Sequence, residues 1–126
     1  MKIEVSIGEI VDKLSILKIK TENITDKVKL DNVIKEYEYL LGVVEGDLNI
    51  STDSDLYNEL LSINKELWDI EDDIRDKERE KSFDEEFILL ARSVYFTNDK
   101  RADIKKRINI EYGSDFVEEK SYNKYG

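Results

Sequence analysis

The chain has no cysteine, no histidine and no proline, and five glycines among its 126 residues. Without cysteine there is no thiolate nucleophile and no disulfide framework. Without histidine there is no imidazole base, and the usual zinc ligand sets are lost. Any reaction would fall to carboxylates, Lys, Arg, Tyr or hydroxyls, and the residues name no catalytic group, no cofactor and no metal. Without proline nothing interrupts long helices, and turns must be made by Asn, Asp, Ser and Gly. Also lacking are an N-terminal apolar run of signal-peptide type and any stretch near the ~20 apolar residues that span a bilayer. The expected location is cytoplasmic, with no membrane contact. Positive charge is in the minority, 20 basic against 30 acidic residues for a net charge of -10. That balance repels phosphate backbones, so no nucleic-acid partner is expected.

What is abundant is Leu, Ile, Lys and Glu at helical spacing, in a length that suits one domain over residues 1–126. Ile3, Val5 and Ile7 alternate with polar residues and suggest a short extended lead-in able to pair with a neighbouring chain. Ser6-Ile7-Gly8-Glu9 reads as a capping box in which Glu9 reaches back to Ser6. The first helix then carries Ile7, Ile10, Leu14 and Leu17 on one face and Ile16 and Ile19 on another. A helix greasy on two sides is either central or part of a subunit contact. Residues 23–26 read as a turn and a new cap. The second helix runs through Val28, Val33, Ile34, Tyr37, Leu40, Leu41 and Val44 and stops near Gly46, before a loop over 47–54.

In the third helix Leu56, Leu60, Ile63, Leu67, Ile70 and Ile74 step 4-3-4-3-4, a heptad seam that must pack lengthwise against another helix. Asp69, Asp72 and Asp76 fall off that seam and are expected in solvent. Ser82-Phe83-Asp84-Glu85 reads as a second capping box, opening a fourth helix with Phe87, Leu90, Ala91, Val94 and Tyr95. This helix either recaps at Thr97 or continues to Tyr112 and ends at Gly113. The aromatic segment 114–122 is expected to lie irregularly against the body or a second subunit. The fold class is all-α: an antiparallel bundle of three or four helices, with the surplus apolar faces of the first two helices making a homo-oligomer, a dimer foremost.

The fourth helix holds the most informative pattern. Residues three and four apart share a face, so Val94, Asn98, Arg101 and Lys105 form one column that begins apolar and turns cationic on the line that should meet a core. With Arg75 and Arg92 they form a candidate groove for a small anion or an acidic partner segment, since guanidinium forks match carboxylate and phosphate. Trp68 and Tyr95 would wall it, while Glu71, Asn98 and Asp99 would orient the cations. The structural alternative is an ion-pair network with Glu71 and Glu9 or Asp12 as the acids. In that network Arg101→Met leaves ligand titrations flat and is neutral or stabilising. A third possibility is magnesium held by Glu9 and Asp12 with Glu66 and Asp69, as in helical nucleotide hydrolases.

The stretches Val5–Leu14, Leu67–Arg75, Leu90–Tyr95 with Asn98–Arg101, and Glu118–Tyr122 resemble a family of short helical proteins of bacteria and viruses, classed as a domain of unknown function. The resemblance spans nearly the whole chain and implies no activity, catalytic residue or cofactor. Asp72-Asp73-Ile74-Arg75-Asp76 is more loosely similar to a run in the all-helical chorismate mutases, which act on a small dicarboxylate by preorganised charge. The first helix here supplies Lys13 and Lys18 where those enzymes supply an arginine.

Overall fold

A computed structural model describes residues 1–114. It contains α1 (Ile7–Asn23), α2 (Lys27–Gly42) continued by a π-turn (Val43–Asp47), α3 (Asp55–Glu80) and α4 (Glu85–Glu111). Among the described residues there is no strand, and the architecture is the all-α bundle that the periodicities predict. The segment 115–126, where a packed irregular tail is expected, lies outside the described residues.

Each helix begins where a short polar side chain can accept from its exposed amides. Ser6 caps α1, accepting from the Glu9 amide, Asp26 caps α2 and Ser54 caps α3. Two details of the capping boxes differ from expectation. Glu9 does not turn back to Ser6, because its carboxylate is drawn to Lys105 of α4. The cap of α4 is Asp84 rather than Ser82, with the Asp84 carboxylate accepting from the Phe87 amide. Ser82 is occupied closing α3: Lys81 adopts the left-handed conformation at φ 56°, and the Ser82 amide donates to the Lys77 carbonyl. At Thr97 the fourth helix does not recap. It runs unbroken to Glu111, and Gly113, at φ 69°, takes the chain out of it.

The heptad seam of α3 packs along α4 in an antiparallel hairpin, tied by Lys77 to Asp84 and Glu86 at the turn and by Arg107 to Glu59 near the other end. The two-faced α1 is central, touching α2, α3 and α4. Its second apolar face packs inside the chain, with Ile19 buried and Ile16 half-buried. The core gathers Val11, Leu14, Val44, Ile50, Leu56, Tyr57, Leu60, Ile104 and Ile108, with Tyr37, Leu40 and Leu41 of α2 leaning on it. Beyond Leu67 in α3 and before Thr97 in α4 no described residue is fully buried, so the outer half of the hairpin projects as a two-helix arm.

Tyr57 reports on this core. Burial, aided by Tyr37 and the Glu22 and Glu45 carboxylates, pushes its phenol up to about 12. The folded chain therefore holds a proton that the unfolded chain releases near pH 10, and stability is expected to fall between pH 10 and pH 12. An ultraviolet titration should show one tyrosine ionising late, and Tyr57→Phe should remove that late step and flatten the alkaline loss of stability.

Candidate functional site

The cationic column of α4 meets α1. Descending α1 and ascending α4, the Gly8 amide donates to Asn109 Oδ1 at 2.6 Å, Glu9 pairs with Lys105, and Asp12 pairs with Arg101. One polar rung per turn joins two antiparallel helices. The polar break in the α4 stripe is thus the strip on which α1 docks, and it needs a matching strip on α1. Gly8, Asp12 and Ser15 supply it: small residues at spacings of four and three, beside the apolar faces of the helix.

Asp12 is the centre of this arrangement and is 3% exposed. Its Oδ1 accepts from Arg101 Nε at 3.0 Å and from Asn64 Nδ2 at 2.9 Å, while Oδ2 receives the second arm of the Arg101 fork. Asn64, on the shoulder of the α3 seam, also donates to Ser15 Oγ at 2.7 Å, and the Ser15 hydroxyl donates to the Asp12 backbone carbonyl. Three helices are joined through one carboxylate. Among the described residues no buried side-chain nitrogen or oxygen is left unpartnered. A carboxylate whose two oxygens both accept from side chains of other helices is suited to fixing geometry.

The other sequence-predicted cations do not join this centre. Arg75 is exposed and pairs with Glu71 and Asp72 of its own helix. Arg92 is exposed, its guanidinium 5.9 Å from the Phe96 ring centre. Trp68 is half-buried on the arm, Tyr95 is 40% exposed, and Asn98 and Asp99 are half-buried on α4. Of the nine predicted positions the polar ladder takes Arg101 and Lys105. The antiparallel hairpin does set Arg75 and Arg92 on neighbouring stretches, but each guanidinium finds a partner on its own helix. The residues that sequence reasoning missed are Gly8, Ser15 and Asn109. For Gly8 and Ser15 the signal was the small-residue column of α1, legible only with the knowledge that another backbone approaches there.

The acidic pairs of α1 and α3 do not assemble a cluster. Glu9 and Asp12 face cations of α4, whereas Glu66 and Asp69 are exposed on α3. Among the described residues no three carboxylates come close enough to hold a metal ion.

An open groove of about 790 Å³ runs between α3 and α4, and its lining includes no residue of α1. Asp55, Glu59 and Ile63 line one wall, and Lys100, Asp103 and Arg107 the other. It differs from the predicted groove: the cations there are Lys100 and Arg107, the latter already paired with Glu59.

No helix among the described residues is long and apolar enough to cross a membrane. No curated protein and no solved structure matches the chain. A family model does match, over residues 1–125, and its description agrees with the resemblance carried by the motifs: the chain belongs to the Family of unknown function (DUF6165).

Proposed function

We propose that this chain is a cytoplasmic helical binding and assembly module whose partner surface is the groove between α3 and α4. The observation that carries this reading is the groove itself, open, lined by both charges and apolar side chains, and made by residues of α3 and α4. Grooves between paired helices are common seats for a further helix. The Asp12 centre fits a scaffold role, because it ties α1 to the hairpin through Asn64 and Arg101. The predicted small-anion site has less support, since Arg101 and Lys105 are engaged by Asp12 and Glu9 while Arg75 and Arg92 stand in solvent.

A photo-crosslinking residue placed at Ser62, in the groove, should capture a specific partner in the native host. The same residue at Lys29, exposed on α2, should not. Equal or absent capture at both positions would remove the groove reading. A thermal shift produced by phosphate or a dicarboxylate, and lost on replacing Arg75 and Arg92 with methionine, would return the site to the anion-binding arm.

A further inference from the structure

The outer half of the hairpin presents a surface separate from the groove, whose lining includes no residue between 83 and 96. Residues 87–96 of α4 read Phe-Ile-Leu-Leu-Ala-Arg-Ser-Val-Tyr-Phe, with Arg92 the one charge, in a chain that is 40% charged. Phe87, Leu90 and Val94 are half-buried and continue down the helix to the buried Thr97, Ile104 and Ile108, so they mark its inward face. Ile88 and Leu89 fall outside that face and are 54% and 56% exposed, with Tyr95 exposed on the same outward side and Phe83 exposed at the tip. A helix that is apolar all round is normally covered all round. Here Ile88 and Leu89 are left uncovered.

The outward face also carries two ordered charges. Glu85 and Arg92 are seven residues apart and lie on one line, with Ile88 to one side of it and Leu89 to the other. Both charges are exposed, and among the described residues neither has an opposite charge within ion-pair distance. The Arg92 guanidinium has the Phe96 ring of its own helix beside it. Such a strip is self-complementary. Two α4 helices laid antiparallel about a two-fold axis between Ile88 and Leu89 set the apolar pair of one copy against that of the other. The same register puts each Arg92 opposite the partner's Glu85, so an ion pair closes the contact at both ends.

This register keeps the acidic bodies apart. With Arg92 level with the partner's Glu85, the two cores, marked by Ile104, stand at opposite ends of the pair, roughly 45 Å apart along the axis. Screening lengths at physiological salt are about 8 Å, so the net charge of -10 on each chain opposes the contact little. A parallel arrangement would set body beside body and Arg92 beside Arg92. Charge order therefore selects a second copy in the antiparallel sense.

We propose that two copies of the chain associate through the outward face of α4 at the end of the arm, with the Ile88 and Leu89 cluster flanked by two Arg92–Glu85 pairs between copies. A contact of two to three helical turns falls below the roughly 1,200 Å² of a standard interface, so the dimer is weak and its population depends on concentration.

The test is sedimentation velocity and amide shift perturbation on the full chain from about 10 μM to about 1 mM. The average mass should rise toward that of a dimer, with the shifts concentrated in residues 83–96. Leu89→Asp should hold the chain monomeric throughout. Arg92→Glu and Glu85→Arg should each weaken association at least about tenfold, because each places like charges opposite one another twice in the dimer. Combining the two recreates both ion pairs with their signs exchanged, and should restore association to within about threefold of the original. Lys29→Glu, on the exposed side of α2, should change it by less than about twofold. Circular dichroism checks that all variants keep the helical fold.

A mass that stays monomeric to about 1 mM would overturn the proposal. Association that survives Leu89→Asp would overturn it too, since the contact would then lie elsewhere. Loss in both single charge variants with no recovery in the combined one would overturn the antiparallel pairing. Crosslinking at Ser62 reports on the groove, so the groove reading and this one can each fail alone.

Discussion

Replacing Arg101 with methionine is expected to destabilise the fold by about 3 kcal/mol, at the lower end of what breaking a buried ion pair costs. This is opposite in sign to the neutral or stabilising effect that an ion-pair network suggests from sequence. The difference lies in what stays behind. Exchanging both members of a buried pair for apolar groups removes two desolvation costs, whereas removing Arg101 leaves the Asp12 carboxylate 3% exposed with Asn64 as its remaining side-chain donor. The loss is held to the lower end because the Arg101 side chain is 28% exposed, so water can reach part of the vacated space. Asp12→Asn in the Arg101→Met background removes the stranded charge and keeps an acceptor for Asn64, so the double variant should recover most of the loss. Urea unfolding of the two single variants and the double variant measures the coupling. A double variant no more stable than Arg101→Met would show that lost arginine packing, not a stranded carboxylate, is the cause.

Gly8→Ala and Gly42→Ala are the same substitution in a helical position, and they should have opposite signs. At Gly42, with φ -60° and ψ -40°, an added Cβ meets nothing within 4 Å. Alanine there should stabilise by about 0.5–1 kcal/mol through helix propensity and a less entropic unfolded chain. At Gly8 the same atom would lie 2.7 Å from the Lys105 backbone carbonyl oxygen and 3.0 Å from Asn109 Oδ1. The carbonyl belongs to helix backbone and cannot swing aside, so α1 must move away from α4. That movement stretches the hydrogen bond from the Gly8 amide to Asn109 and opens the ladder at its first rung. Overpacking and the weakened hydrogen bond outweigh the propensity gain, for a net loss of about 2 kcal/mol. Thermal unfolding of the pair reads the difference, and amide exchange should place the extra opening of Gly8→Ala in the first turns of α1. Stabilisation by both substitutions would mean that α1 does not approach α4 this closely.

The second apolar face of α1 shows how a sequence pattern can be right in kind and open in meaning. Ile16 and Ile19 announce a helix covered on two sides, and they do so whether the cover is another helix of the same chain or a second subunit. The hairpin of α3 and α4 resolves it, since one helix packed against three others needs no outside cover for Ile19. The cationic column of α4 is a similar case. Its period locates a polar strip, but a strip that binds an anion and a strip that binds α1 have the same spacing.

The sequence alone determined four things: the helices, the caps of the first two at Ser6 and within residues 23–26, the lengthwise seam of α3, and the strip of α4 that departs from apolar. These depend on residues within a few turns of one another, where period and capping chemistry act. Tertiary structure alone decided what that strip touches. Asp12 and Arg101 are 89 residues apart, and Gly8 and Asn109 are 101 apart. Local spacing carries no information about which distant backbone comes within 3 Å of a glycine, nor about which of the candidate acids will be the one shut away from water beside an arginine.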